Sequence, residues 1–83
     1  MNIVENIKNY LNDKNYAICL YNNYLYIFKY DFLNTFSNQT IDVVIENRKY
    51  LIFGNNISLI KMTSEELLFK GLFNSLKVET ADE

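Results

Sequence analysis

Short polar clusters divide this chain into runs rich in β-branched and aromatic residues, and those runs set its organisation. Tyr16 to Tyr21 and Tyr24 to Lys29 are joined by Asn22-Asn23, a pair that tolerates the left-handed turn of a hairpin. Tyr24, Tyr26 and Phe28 then share one face and Leu25 and Ile27 the other, so both faces are apolar and both need cover. Asp31 to Phe36 reads either as an irregular strand or as a helical turn, since Phe32 and Phe36 stand at helical spacing. After the break at Ser37-Asn38-Gln39-Thr40, Ile41 to Glu46 pairs with Lys49 to Phe53 across Asn47-Arg48, and the direction reverses at Asn55-Asn56. A strand from Ile57 to Met62, a turn at Thr63-Ser64-Glu65, a strand ending at Gly71 and a last strand from Leu72 to Val78 complete the pattern.

The period changes at the start of the chain. Ile3, Ile7 and Tyr10 recur at helical spacing, Asn2 can cap, and Glu5 completes a box-like first turn. A short amphipathic helix from Asn2 to Leu11 is expected, laid as a lid on the sheet, because so short a helix does not hold alone. Glu79 to Glu83 reads as a frayed acidic tail. The expected architecture is a single domain over residues 1–83, with a β domain over 16–78. It is all-β, an antiparallel sheet of about six or seven strands rolled or folded into a sandwich, with a short N-terminal helix.

One stretch supports a competing α+β fold. Thr63 followed by Glu66 fits a helix capping box, and Leu68, Leu72 and Leu76 recur at helical spacing, which would make Ser64 to Lys77 a C-terminal helix. Gly71 would then lie mid-helix, at a cost of about 1 kcal/mol relative to Ala. Gly54 and Gly71, the two glycines of the chain, are the expected structural turn residues. Each sits where the backbone needs a positive φ or passes too close to another strand for a Cβ.

Composition narrows the chemistry. With 83 residues the core is thin, and association is a common remedy. No histidine is present, which removes Ser-His and Cys-His nucleophilic arrangements and histidine metal sites. The single cysteine, Cys19, cannot build a disulfide framework or a zinc cluster within one chain, and its apolar neighbours make it a small buried hydrophobe. Two glycines this far apart make no phosphate loop. Glu65 and Glu66 point to opposite faces of a strand and read as a solvated turn. No catalytic residues, cofactor or metal are therefore expected. No signal-peptide pattern opens the sequence, and no apolar run approaches the roughly 20 residues of a membrane helix, so the expected location is cytoplasmic.

A net charge of −2 creates no field to attract nucleic acid. The seven tyrosines could form a base-stacking platform, but such platforms interleave aromatics with Lys and Arg, and Tyr16 to Phe28 contains neither. A protein interface is the better reading, with Tyr21, Tyr24 and Tyr26 as contact residues. The same hairpin carries no charge and the chain no proline, so at a sheet edge it would be an unguarded template for pairing. A homo-oligomer or an obligate protein complex is expected, the alternative being a monomer whose helix covers the hairpin. A small single-stranded nucleic-acid-binding β domain is the second function, and an enzyme subunit completed by a partner the third.

Leu51-Ile52-Phe53-Gly54, Ile57 to Met62, Glu65-Glu66-Leu67-Leu68-Phe69 and Gly71-Leu72-Phe73 follow one another within the run from Phe36 to Phe73. With these features that run resembles, without a gap, the core of the YabP/YqfC family of sporulation proteins. It extends back through Asn23-Tyr24-Leu25-Tyr26-Ile27 and covers residues 16–78. Two departures are the absent glycine at Asn47-Arg48 and Ser64 in place of a proline. The resemblance implies strands rather than a C-terminal helix. It also implies a non-enzymatic part in assembling the endospore envelope or coat of a low-GC Gram-positive bacterium. The chain would be peripheral at the developing spore envelope, with a membrane-anchored sporulation protein as a partner.

Overall fold

The computed structural model describes residues 17–80, so the expected helix over Asn2 to Leu11 and residues 81–83 of the expected tail lie outside the described residues. Six strands follow in order: β1 (Ala17–Tyr21), β2 (Tyr24–Phe28), β3 (Phe32–Phe36), β4 (Thr40–Ile45), β5 (Arg48–Met62) and β6 (Glu66–Thr80). They form one antiparallel sheet in the order β1-β2-β6-β5-β4-β3. The protein is all-β, and Asp31 to Phe36 contributes a strand rather than a helical turn.

The C-terminal helix does not form. The Thr63 hydroxyl accepts the N–H groups of Glu65 and Glu66 at 3.2 and 2.9 Å, as a helix cap would. The Thr63 N–H, however, donates to the Glu66 carbonyl at 2.8 Å and closes a hairpin turn instead. Beyond it Leu67 and Phe69 bury themselves on one face of β6 and Leu68 on the other, an alternation a helix could not provide.

The long β5–β6 hairpin also corrects three boundaries. β5 does not reverse at Asn55-Asn56 but runs through Gly54 as one strand, and β6 continues past Gly71 through Glu79 and Thr80. What reads as punctuation in the sequence is bending within strands. Register shifts between Phe53 and Gly54, Asn55 and Ser58, and Leu59 and Lys61 insert extra residues, and Asn56 takes a left-handed φ of 56° at the middle one. Neither glycine has a positive φ. Their role is close approach: a Cβ on Gly54 would collide with the Leu72 carbonyl oxygen, and one on Gly71 would stand 2.9 Å from Ile57 Cα.

Two turns differ in detail from expectation. The β4–β5 turn is Glu46-Asn47, both left-handed at φ 50° and 66°, not Asn47-Arg48. That pair of positive φ values is the type I′ geometry whose twist suits a two-residue hairpin, and it sets Ile45 opposite Arg48. In the β1–β2 hairpin Asn22 alone is left-handed, at 55°.

The bends let the sheet roll over on itself. Leu25 and Ile27 of β2, Ile41, Val43 and Ile45 of β4, Tyr50, Ile52 and Ile57 of β5, and Leu67 and Phe69 of β6 meet on the inner face. Phe36 of β3 meets the ring of Phe69 edge-on at 5.6 Å, although β3 and β6 are not neighbours in the sheet. Between β2 and β3 the chain is tied to both halves: Lys29 N–H donates to the Glu65 carbonyl and Asp31 N–H to that of Val44. Tyr26, Phe28 and Leu68 form a second, smaller cluster on the opposite face.

Candidate functional site

Two surfaces merit attention, and both begin at the β1–β2 hairpin. On its outer face Cys19 stands opposite Tyr26, and Tyr21 opposite Tyr24, with β6 placing Leu68 beside Tyr26 and Lys70 beside Tyr24. The rings of Tyr26 and Phe28 stack at 6.1 Å with 17° between their planes. Lys70 lies over the Tyr24 ring at 5.7 Å and Lys29 over Phe28 at 5.4 Å, within cation–π range.

The three expected contact tyrosines have different fates. Tyr21 is 47% exposed, Tyr24 is half-buried, and Tyr26 is 1% exposed and presents no surface to a partner. Tyr26 is held from within: its hydroxyl donates to Glu66 Oε2 at 2.8 Å, and Glu66 Oε1 lies 3.4 Å from Lys61 Nζ. Burial, and then the bond to Glu66, push the Tyr26 phenol well above the usual tyrosine range. Glu66 is thus a buried carboxylate rather than part of a solvated turn, and only Glu65 faces solvent. The sequence hides this, because adjacent glutamates look alike until the register puts Glu66 opposite Phe28 and diagonal to Tyr26. Gly54 and Gly71 lie in the β5–β6 ladder, away from any surface chemistry.

Cys19 is half-buried, and burial pushes its thiol up, which favours the unreactive protonated form. Among the described residues no group of three or more Cys, Asp or Glu side chains is placed to hold a metal. No helix among them is long and apolar enough to cross a membrane.

The second surface is on the inner side. β2 pairs with β6 only over Glu66 to Lys70, so from Leu72 to Thr80 the edge of β6 away from β5 has no strand beside it among the described residues. Where this half of β6 bends over the hairpin, an apolar groove of about 270 Å³ opens between Ile18, Leu20 and Leu25 on one side and Ile52, Phe73 and Leu76 on the other. Leu20, Leu76 and Val78 are 58%, 50% and 47% exposed, a density of large apolar side chains beyond isolated surface positions. Nothing in this arrangement aligns a nucleophile, base or anion cradle. It can bind apolar side chains and extended backbone. Comparison with protein-family models, curated proteins and solved structures finds no match.

Proposed function

We propose that this chain is a non-enzymatic assembly protein, similar to the YabP/YqfC sporulation proteins, that works in endospore envelope or coat formation through protein–protein contacts. One observation carries the reading: the gapless run from Phe36 to Phe73 whose two glycines keep their places relative to the flanking strands. In the fold both glycines lie where β5 and β6 approach too closely for a side chain, which gives a physical reason for a sequence pattern of this kind. The exposed apolar residues along β1 and the second half of β6 support contact with protein rather than with a polar small molecule. A membrane-anchored sporulation protein is the proposed partner, with the chain itself cytoplasmic and peripheral at the developing spore envelope.

Deleting the gene and scoring heat-resistant spores tests this. Loss of heat resistance with abnormal envelope layers is the expected result; wild-type yield with normal layers overturns it.

The nucleic-acid alternative draws on the lysine over the ring of Tyr24. It has little platform to work with, because Tyr26 and Phe28 are buried. Titration of the protein with single-stranded oligonucleotides at low salt is expected to give no binding. Micromolar affinity with a steep salt slope would favour the alternative.

A further inference from the structure

We infer that the second half of β6 is a self-association edge, along which two copies of this chain pair antiparallel about a two-fold axis through Val78. The inference rests on the reading of the chain as an assembly protein and names the partner as a second copy. From Leu72 to Thr80 the backbone groups on the side of β6 away from β5 face no strand among the described residues. An edge of this kind is a template for another strand unless charge, proline or a bulge blocks it; the chain has no proline, the register shift opposite Phe53 and Gly54 lies before Ser75, and Lys77 and Glu79, the two charges beyond it, are opposite in sign.

Charge complementarity selects the occupant and the register. Lys77 and Glu79 flank Val78 on the same face of β6 and lie 3.2 Å apart within one chain. With the axis at Val78, Lys77 of each copy stands opposite Glu79 of the other, giving two cross-strand pairs of opposite charge. An axis at Lys77 would instead oppose two lysines, and an axis at Glu79 two glutamates, so like charges exclude the adjacent registers. Val78 pairs with Tyr50 and Leu76 with Ile52, so both point to the inner face. The same register sets Val78 opposite Val78 and Leu76 opposite Thr80, with each Leu76 diagonal to the second copy's Val78, so the four apolar side chains lie on one face across the seam and are shielded where now about half exposed.

The experiment uses the full chain in solution. Sedimentation at tens of micromolar is expected to give twice the 9.9 kDa chain mass. Lys77→Glu, which places a carboxylate opposite Glu79 of the second copy, should weaken the dimer by about tenfold or more, and Glu79→Lys should do the same. Combining the two substitutions reverses both charges and should restore the dimer. Oxidising Val78→Cys in a Cys19→Ser background should link two chains across the axis. A monomer throughout that concentration range overturns the inference. So does a dimer that ignores both charge reversals and forms no link through Val78→Cys, since association would then run through another surface. Circular dichroism of each variant verifies the fold, and the two single reversals serve as replicates should one misfold. Because these readouts need no spores, their failure is distinguishable from that of the sporulation reading.

Discussion

Glu66 is the residue whose setting departs most from what a glutamate usually experiences. It is 5% exposed, accepts the Tyr26 hydroxyl at 2.8 Å and has Lys61 Nζ 3.4 Å away. Glu66→Leu would leave the Tyr26 hydroxyl without that acceptor in the interior, so a loss of about 1–3 kcal/mol in urea unfolding is expected. Glu66→Gln keeps an acceptor and should cost less. The same pair predicts an alkaline limit. The folded protein holds the Tyr26 proton more tightly than the unfolded chain does, so this stabilisation is complete below about pH 10 and is lost as the pH rises further. Unfolding midpoints measured from pH 8 to 11 should fall at the alkaline end, and Tyr26→Phe should flatten the fall. An unchanged slope in that variant would show that other tyrosines set the limit.

At the scale of elements, the β5–β6 hairpin departs from ordinary strand length and uses bulges and two glycines to do so. Fifteen residues per strand exceed the usual range of about 3–10, and three register shifts bend the pair into a roll. A side chain at Gly71 would meet backbone, namely Ile57 Cα and the Asn55 and Asn56 carbonyl oxygens. Gly71→Val should therefore lose on the order of 1 to 3 kcal/mol in thermal or urea unfolding; a neutral result would mean that the strands part without penalty. The existence of these strands is legible in the sequence, because apolar alternation and polar turns mark β1, β2, β4 and the turn at Thr63. Their continuity is not. A bulged strand and a pair of strands joined by a turn both present Asn and Gly at the interruption, and only the partner strand decides between them. For the same reason the glycines are legible as special positions, whereas close approach and positive φ cannot be told apart from the residue type. The candidate contact surface was legible only in part. Tyr21 lies open, while the fate of Tyr26 depends on Glu66 and Leu68, which join it from a distant strand.

At the scale of the molecule, the described residues form a sheet whose outer strands are attached to a central hairpin at opposite ends. β1 and β2 reach only the Glu66–Lys70 part of β6, and β3 and β4 only the Arg48–Phe53 part of β5. Sheet order and chain order thus disagree at one place: β2, second in sequence, must wait for β6, the last of the six. The consequence is kinetic. β5 and β6 close through the Thr63 turn by contacts local in sequence, whereas the pairing of Leu25 with Phe69 closes a long loop and comes at a higher entropic cost. Thr63→Ala, which removes the hydroxyl acceptor of two turn bonds, should slow refolding and leave unfolding nearly unchanged. Leu25→Ala should do the reverse and speed unfolding, because its contacts form after the barrier. Stopped-flow chevrons of the two variants would show the opposite pattern if the β1–β2 hairpin docks first. In the expected order, the uncharged hairpin remains an open edge throughout the slow phase, and the yield of refolding should fall with protein concentration before stability is affected.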